Sequence, residues 1–155
     1  MSSVDLDSID YTPVMQRFGA PHTVVHHFQH WCLLARPKQA TLGAMVLIAR
    51  QPATRWPELE PAAFTELATV TGLLEAALYQ RFACDKINYL MLMMVDPEVH
   101  FHVLPRYQQA VSFAGQRFPD PGWPGPPRLD QHTDTSNEQL ADIVEQLRNA
   151  LGTSE

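Results

Sequence analysis

The sequence predicts an α+β domain: an antiparallel sheet of about five strands packed with one long helix and a C-terminal helix. Three observations carry this expectation. Short apolar runs, some alternating with period two, fill residues 22–50 and 86–107, as half-buried and buried strands do. Between them, residues 61–82 switch to a period near that of an amphipathic helix. No piece between the early runs is long enough for a crossover helix, so those strands are expected to pair antiparallel through tight connections.

The chain's 155 residues predict a single domain over 1–155, large enough to bury a core without covalent staples. Within it, residues 1–21 read as an irregular arm with Tyr11, Val14 and Phe18 as docking points. TVVHHFQHWCLLARP supplies two short strands with a turn near Gln29 and His30, stopped by Pro37. ATLGAMVLIAR supplies a third, with Gly43 at its start.

The stretch PAAFTELATVTGLLEAALYQRF sets Phe64, Leu67, Thr71, Leu74, Leu78 and Phe82 near one helical stripe, opened by Pro61 and interrupted by Gly72. KINYLMLMMVDP is apolar enough to read as a central strand, its methionines 91, 93 and 94 as core filler, and EVHFHVLP is expected to pair beside it. Residues 111–135, rich in proline, glycine and aspartate, read as an irregular segment laid over the domain by Phe113, Phe118 and Trp123. A C-terminal helix over 136–151 follows, with Ser136 and Gln139 spaced as a capping box.

Composition narrows the function. With 11 Lys and Arg against 17 Asp and Glu, the net charge is −6, which argues against a broad surface for long nucleic acid and leaves room for a small anionic ligand. Cys32 and Cys84 lack CxxC spacing and read as buried thiols of a reducing compartment. MSSVDLDSIDYTP is acidic, and no apolar run is long enough to span a bilayer. The expectation is a soluble cytoplasmic protein with no membrane partner.

The residues that suggest chemistry lie in EVHFHVLPRY, 98–107. Period-two geometry puts Glu98, His100 and His102 on one face and Val99, Phe101 and Val103 on the other. Imidazole is a usable nucleophile near neutral pH and, when protonated, a donor to phosphate oxygens. Attack requires a free Nε2, and therefore a carbonyl or carboxylate that keeps the proton on Nδ1. Arg36, Lys38, Arg50 and Arg106 stand at the ends of apolar runs, where they either reach a cleft or merely solubilise strand ends. Glu98, His100 and His102 together also match a two-histidine, one-carboxylate metal site. His22, His26, His27, His30 and His132 belong to no constellation.

HFHVLPRY at 100–107 resembles the signature of the histidine triad nucleotide hydrolases and transferases, and the resemblance covers roughly residues 22–107. DPGWPGPP also looks like a segment that follows the signature in a bacterial subgroup related to diadenosine tetraphosphate hydrolases. The resemblance implies an antiparallel α+β fold, usually a homodimer, that needs no cofactor and no metal. It implies cleavage of phosphoanhydride or phosphoramidate bonds at a nucleoside α-phosphate through a nucleotidyl-histidine. His100 takes the nucleophilic position and His102 the position that contacts the transferred phosphate.

Glu98 stands where the family has its first histidine, and Met93, Met94, Val95 and Asp96 stand where it has polar residues. Glu98 and Arg106 are the substrate-binding candidates, Glu98 by an orienting hydrogen bond and Arg106 by donating to phosphate. Arg106 could equally pair with Glu98 or with the tail. These departures leave a non-catalytic nucleotide-binding or interaction protein as the alternative to a small-nucleotide enzyme.

Overall fold

The computed structural model describes residues 5–152. Five strands, β1 (Val24–His27), β2 (Trp31–Ala35), β3 (Met45–Ala49), β4 (Lys86–Leu90) and β5 (His100–Arg106), form one sheet in the order β1-β2-β3-β5-β4. Every neighbouring pair is antiparallel. This is the predicted α+β architecture.

The pleat sends alternate side chains to opposite faces, and the two faces are covered differently. On one, Trp31, Leu33, Met45, Leu47, Phe101 and Val103 pack under the helix α2 (Pro61–Phe82) and the C-terminal helix α3 (Asn137–Leu151). On the other, Val24, Cys32, Leu34, Val46 and Ile48 meet Tyr11, Val14 and Met15. Removing all this apolar surface from water is the main force holding the layers together.

The N-terminal arm is more ordered than its sequence suggests. Among its described residues are a 3-10 turn, Leu6–Ser8, and a short helix, α1 (Pro13–Arg17), opened by Pro13 and by the Thr12 hydroxyl, which accepts from the Met15 N–H. Residues 1–4 lie outside the described residues. Tyr11 and Val14 dock as expected.

The long helix runs unbroken through Gly72, where an added Cβ would meet nothing within 4 Å. Its buried stripe is rotated from the expected one: Ala63, Val70, Leu74, Ala77, Leu78 and Phe82 face the sheet, while Phe64 turns outward against Trp56. Gly43 is required twice over. Its φ of +84° lies in the left-handed region, and a Cβ there would come within 3.0 Å of Phe82 and 3.1 Å of Leu78. The loop that starts β3 therefore lies directly on the end of α2.

Two expectations are corrected. KINYLMLMMVDP is an edge strand and not a central one, because β5 inserts between it and β3. The strand ends at Leu90, and Met93, with a φ of +57°, leaves extended geometry. Met94 and Val95 are 85% and 92% exposed, so only Met93 serves as core filler. The tail over 111–135 is not wholly irregular, since β6 (Val111–Phe113) and β7 (Gln116–Phe118) make a hairpin that buries Phe118. At α3 the capping box forms as predicted, with Ser136 and Gln139 exchanging two 3.0 Å hydrogen bonds.

Candidate active site

The ladder pairs His102 with Val46 and His100 with Ile48. Both rings therefore point to the face covered by the N-terminal arm. They are 4% and 8% exposed for His100 and His102, with centroids 5.6 Å apart and planes nearly perpendicular. Phe18, at the end of α1, lies 6.3 Å from one ring and 6.2 Å from the other. Placing two imidazoles on an inner strand fixes their backbone through pairing on both sides, and this holds them at rigid spacing.

The His100 Nδ1–H donates to the Glu98 carbonyl oxygen at 2.7 Å. A carbonyl can only accept, so the proton on that side is fixed and the Nε2 lone pair is directed away from the strand. Such a bond contributes about 1 kcal/mol net; its larger consequence is the choice of tautomer. Glu98 thus supports His100 through its backbone. Its side chain lies just before β5, with Oε2 buried and unpartnered.

His102 is held neutral. Burial pushes its pKa down to about 4, with Arg36 and His100 adding to the effect and Asp96 opposing it. It is not the resident cation that a protonated donor to phosphate would be, and its Nδ1 has no partner.

Arg106 shares the strand with the histidines but is spent elsewhere. Its Nε donates to Asp120 at 2.7 Å, Nη1 to Asn88 at 2.7 Å, and Nη2 to the Gly125 carbonyl at 2.9 Å. Arg106 therefore clamps the WPGPP tail to the sheet, the pairing with the tail that its sequence position left open beside a phosphate role. Arg50 is likewise engaged, with the Phe28 and Gln29 carbonyls.

A cationic group with unpartnered nitrogens on this face is Arg36. It follows Cys32 and Leu34 in the alternation of β2 and so lies on the histidine face. A cavity of about 270 Å³ is lined there by Arg17, Phe18, Arg36, Lys38, Val95 and Asp96 together with Pro37. Arg17 bonds to Asp96 across it. Sequence reading names Arg36 and Lys38 only among the cations at run ends and gives Arg17 and Asp96 no role. The contact that brings 17 and 96 together spans 79 residues, and no local pattern encodes it.

Among the described residues, no group of three or more His, Cys, Asp and Glu side chains converges as a metal site. Glu98, His100 and His102 thus do not form the alternative two-histidine, one-carboxylate cluster. No helix among the described residues is long and apolar enough to cross a membrane.

Solved structures of similar fold include a histidine triad (HIT) protein from Sinorhizobium meliloti 1021, 19% identical, covering 94% of this chain and 99% of that one at a TM-score of 0.72. A histidine triad protein from Marinobacter aquaeolei VT8 is 24% identical, covering 88% and 93% at 0.70. Diadenosine triphosphate hydrolase from Plasmodium falciparum, in complex with cyclomarin A, is 11% identical, covering 86% and 80% at 0.61. No curated protein matches the chain by sequence. The sequence pattern of the HIT domain matches residues 17–109, a span that holds both histidines and the whole cavity beside them, and the chain belongs to the HIT domain family.

Proposed function

We propose that this protein is a nucleotide phosphohydrolase or nucleotidyl transferase that cleaves at the nucleoside α-phosphate of dinucleoside polyphosphates or nucleoside phosphoramidates. The observation that carries this reading is the 2.7 Å bond from His100 Nδ1 to the Glu98 carbonyl, which leaves Nε2 as a nucleophile of fixed direction. Nε2 attacks the α-phosphorus in line. The new P–N bond forms as the bond to the leaving group breaks, and the leaving group departs with the electron pair. Water then adds to phosphorus, the P–N bond breaks, and its electrons return to Nε2. One proton from that water is released with the products, and the nucleoside monophosphate leaves.

His102 serves the transferred phosphate. In the free protein it is neutral, and an approaching phosphate raises its proton affinity, so charge is drawn to the site by the substrate itself. Glu98 orients His100 through its carbonyl. The diadenosine triphosphate hydrolase of similar fold supports a polyphosphate substrate. The two cysteines are free and buried, which supports a cytoplasmic setting.

The protein works as a homodimer in this reading. Tyr89 on the edge strand β4 and Met91 and Leu92 just beyond its end are exposed, a surface that a second copy would cover. Light scattering at micromolar concentration should give two chains, and a single chain would remove the dimer.

One observation favours a second reading. The unpartnered carboxylate oxygen of Glu98 sits where the family has a histidine, as in a nucleotide-binding protein that has lost catalysis. Product chromatography with diadenosine tetraphosphate and adenosine 5′-phosphoramidate separates the two. AMP released by the wild type and not by His100→Ala supports the enzyme, whereas nucleotide binding without AMP supports the silent relative.

A further inference from the structure

We infer that Arg36, with Lys38 and Arg17, forms a subsite for the phosphates on the leaving side of the scissile bond, making Arg36 the residue that selects polyphosphate over amine leaving groups. This inference rests on the nucleotidyl-transfer reading above and narrows its substrate class.

Five buried side-chain nitrogen and oxygen atoms among the described residues lack a hydrogen-bond partner, and four belong to Arg36, Glu98 and His102. Buried polar atoms are paired almost everywhere in folded proteins, and unpaired ones concentrate where a ligand completes the bonding. Arg36 contributes two, Nε and Nη1. Those atoms lie on different edges of the planar guanidinium, so each can donate to a separate oxygen of a phosphate chain.

The fork is buried deeply enough that desolvation lowers its own pKa, and its charge reaches His102. Its carbonyl is held in place: Gln39 Nε2 donates to the Arg36 carbonyl at 2.7 Å and to the Ala44 carbonyl at 2.9 Å. The cation is therefore mounted on a fixed loop while its donors stay unspent, an arrangement that costs stability unless an anion arrives.

The cavity beside it carries three cationic side chains, from Arg17, Arg36 and Lys38, and one carboxylate, from Asp96. Asp96 is already bonded to Arg17, so two cations remain without an opposite charge. At about 270 Å³ the cavity is at the small end of ligand sites and suits part of a nucleotide. An amine leaving group carries no negative charge to reward this cluster. A chain of phosphates does, and the charge that develops on the departing oxygen is stabilised by cations already in position.

The test pairs a binding probe with a selectivity ratio. Inorganic tripolyphosphate, which has no nucleoside for His100 to take up, is titrated calorimetrically into wild type, Arg36→Gln and Lys38→Gln. We expect binding to wild type, weakened at least about 10-fold in Arg36→Gln and less in Lys38→Gln. For turnover, Arg36→Gln should lower kcat/KM for diadenosine tetraphosphate about 30-fold and leave adenosine 5′-phosphoramidate within about 3-fold. Its Tm should not fall, because no bond within the protein is lost at the substituted nitrogens.

No tripolyphosphate binding to wild type, binding unchanged in Arg36→Gln, or equal loss on both substrates would overturn the subsite. Arg36-dependent binding without AMP from either substrate would leave the subsite standing and remove the His100 mechanism. AMP formation that depends on His100 and ignores Arg36 would do the reverse.

Discussion

Arg106 and Arg36 both carry buried guanidinium nitrogens near the ends of strands in one sheet, and they are treated in opposite ways. Arg106 and its partner Asp120 expose 5% and 0% of their side chains, and three nitrogens of Arg106 find acceptors in Asp120, Asn88 and Gly125. Arg36 has two nitrogens without any. The first charge is neutralised by the protein and holds the tail down. The second waits beside two histidines for something the protein does not supply. A completed polar network specifies structure; an incomplete one, in a fold otherwise well satisfied, marks a place where stability has been exchanged for function.

The sharpest way to break this comparison is on the site side. His100→Ala should reduce turnover at least about 10³-fold, with Tm falling by several degrees because the buried ring packs against Phe18 and His102. An enzyme that stayed active would show that the unsatisfied cluster is not where the chemistry occurs. On the tail side, Arg106→Leu strands the Asp120 carboxylate in the interior. That should cost about 3–5 kcal/mol and lower Tm by roughly 10 °C, as read by calorimetry. A drop of only a degree or two would mean that the clamp does not hold the tail.

The pH dependence of stability sharpens it further. The pKa of His102 is lowered on folding to about 4, chiefly by burial, with Arg36 and His100 adding to it and Asp96 opposing it, so the unfolded chain binds the extra proton first. The stability contributed by keeping this ring neutral is complete above about pH 6.5 and is lost as pH falls from there toward 4. His27, also lowered to about 4 by burial, Arg50 and His26, adds a second loss in the same window. His102→Asn should therefore show a shallower decline of Tm between pH 6.5 and 4 than wild type, with the His27 part retained. Parallel curves would sink the assignment. The smallest effect is expected at Arg36, where Arg36→Met should leave Tm within about 2 °C or raise it, because a buried unpaired charge is removed.

How much of this was legible beforehand follows from the range of the interactions involved. The histidine pair, its shared face and the need for a carbonyl on Nδ1 are properties of one strand, and Glu98 is only two residues from His100. The helix over 61–82 and the Ser136 cap are local in the same sense. Strand order is not local. KINYL reads as central because it is apolar, yet it is an edge whose exposed neighbours Met91, Leu92 and Met94 answer to an outer surface. Arg36 and Arg106 look alike in sequence, each after an apolar run. Only the fold reveals that Asp120 and Asn88 close on one of them and that nothing closes on the other. Phe18 is legible as a docking point of the arm, but the turn of α1 that sets it over the histidines is not.

The measurement that tests the central claim most directly is intact-protein mass spectrometry on wild type and His100→Ala, mixed with diadenosine tetraphosphate and quenched rapidly without acid. The account predicts a transient mass increase of one adenylyl group on wild type, mapped to His100 and absent from the variant. Turnover to AMP with no adduct on wild type at any quench time, or the same adduct on His100→Ala, would contradict a nucleophilic His100.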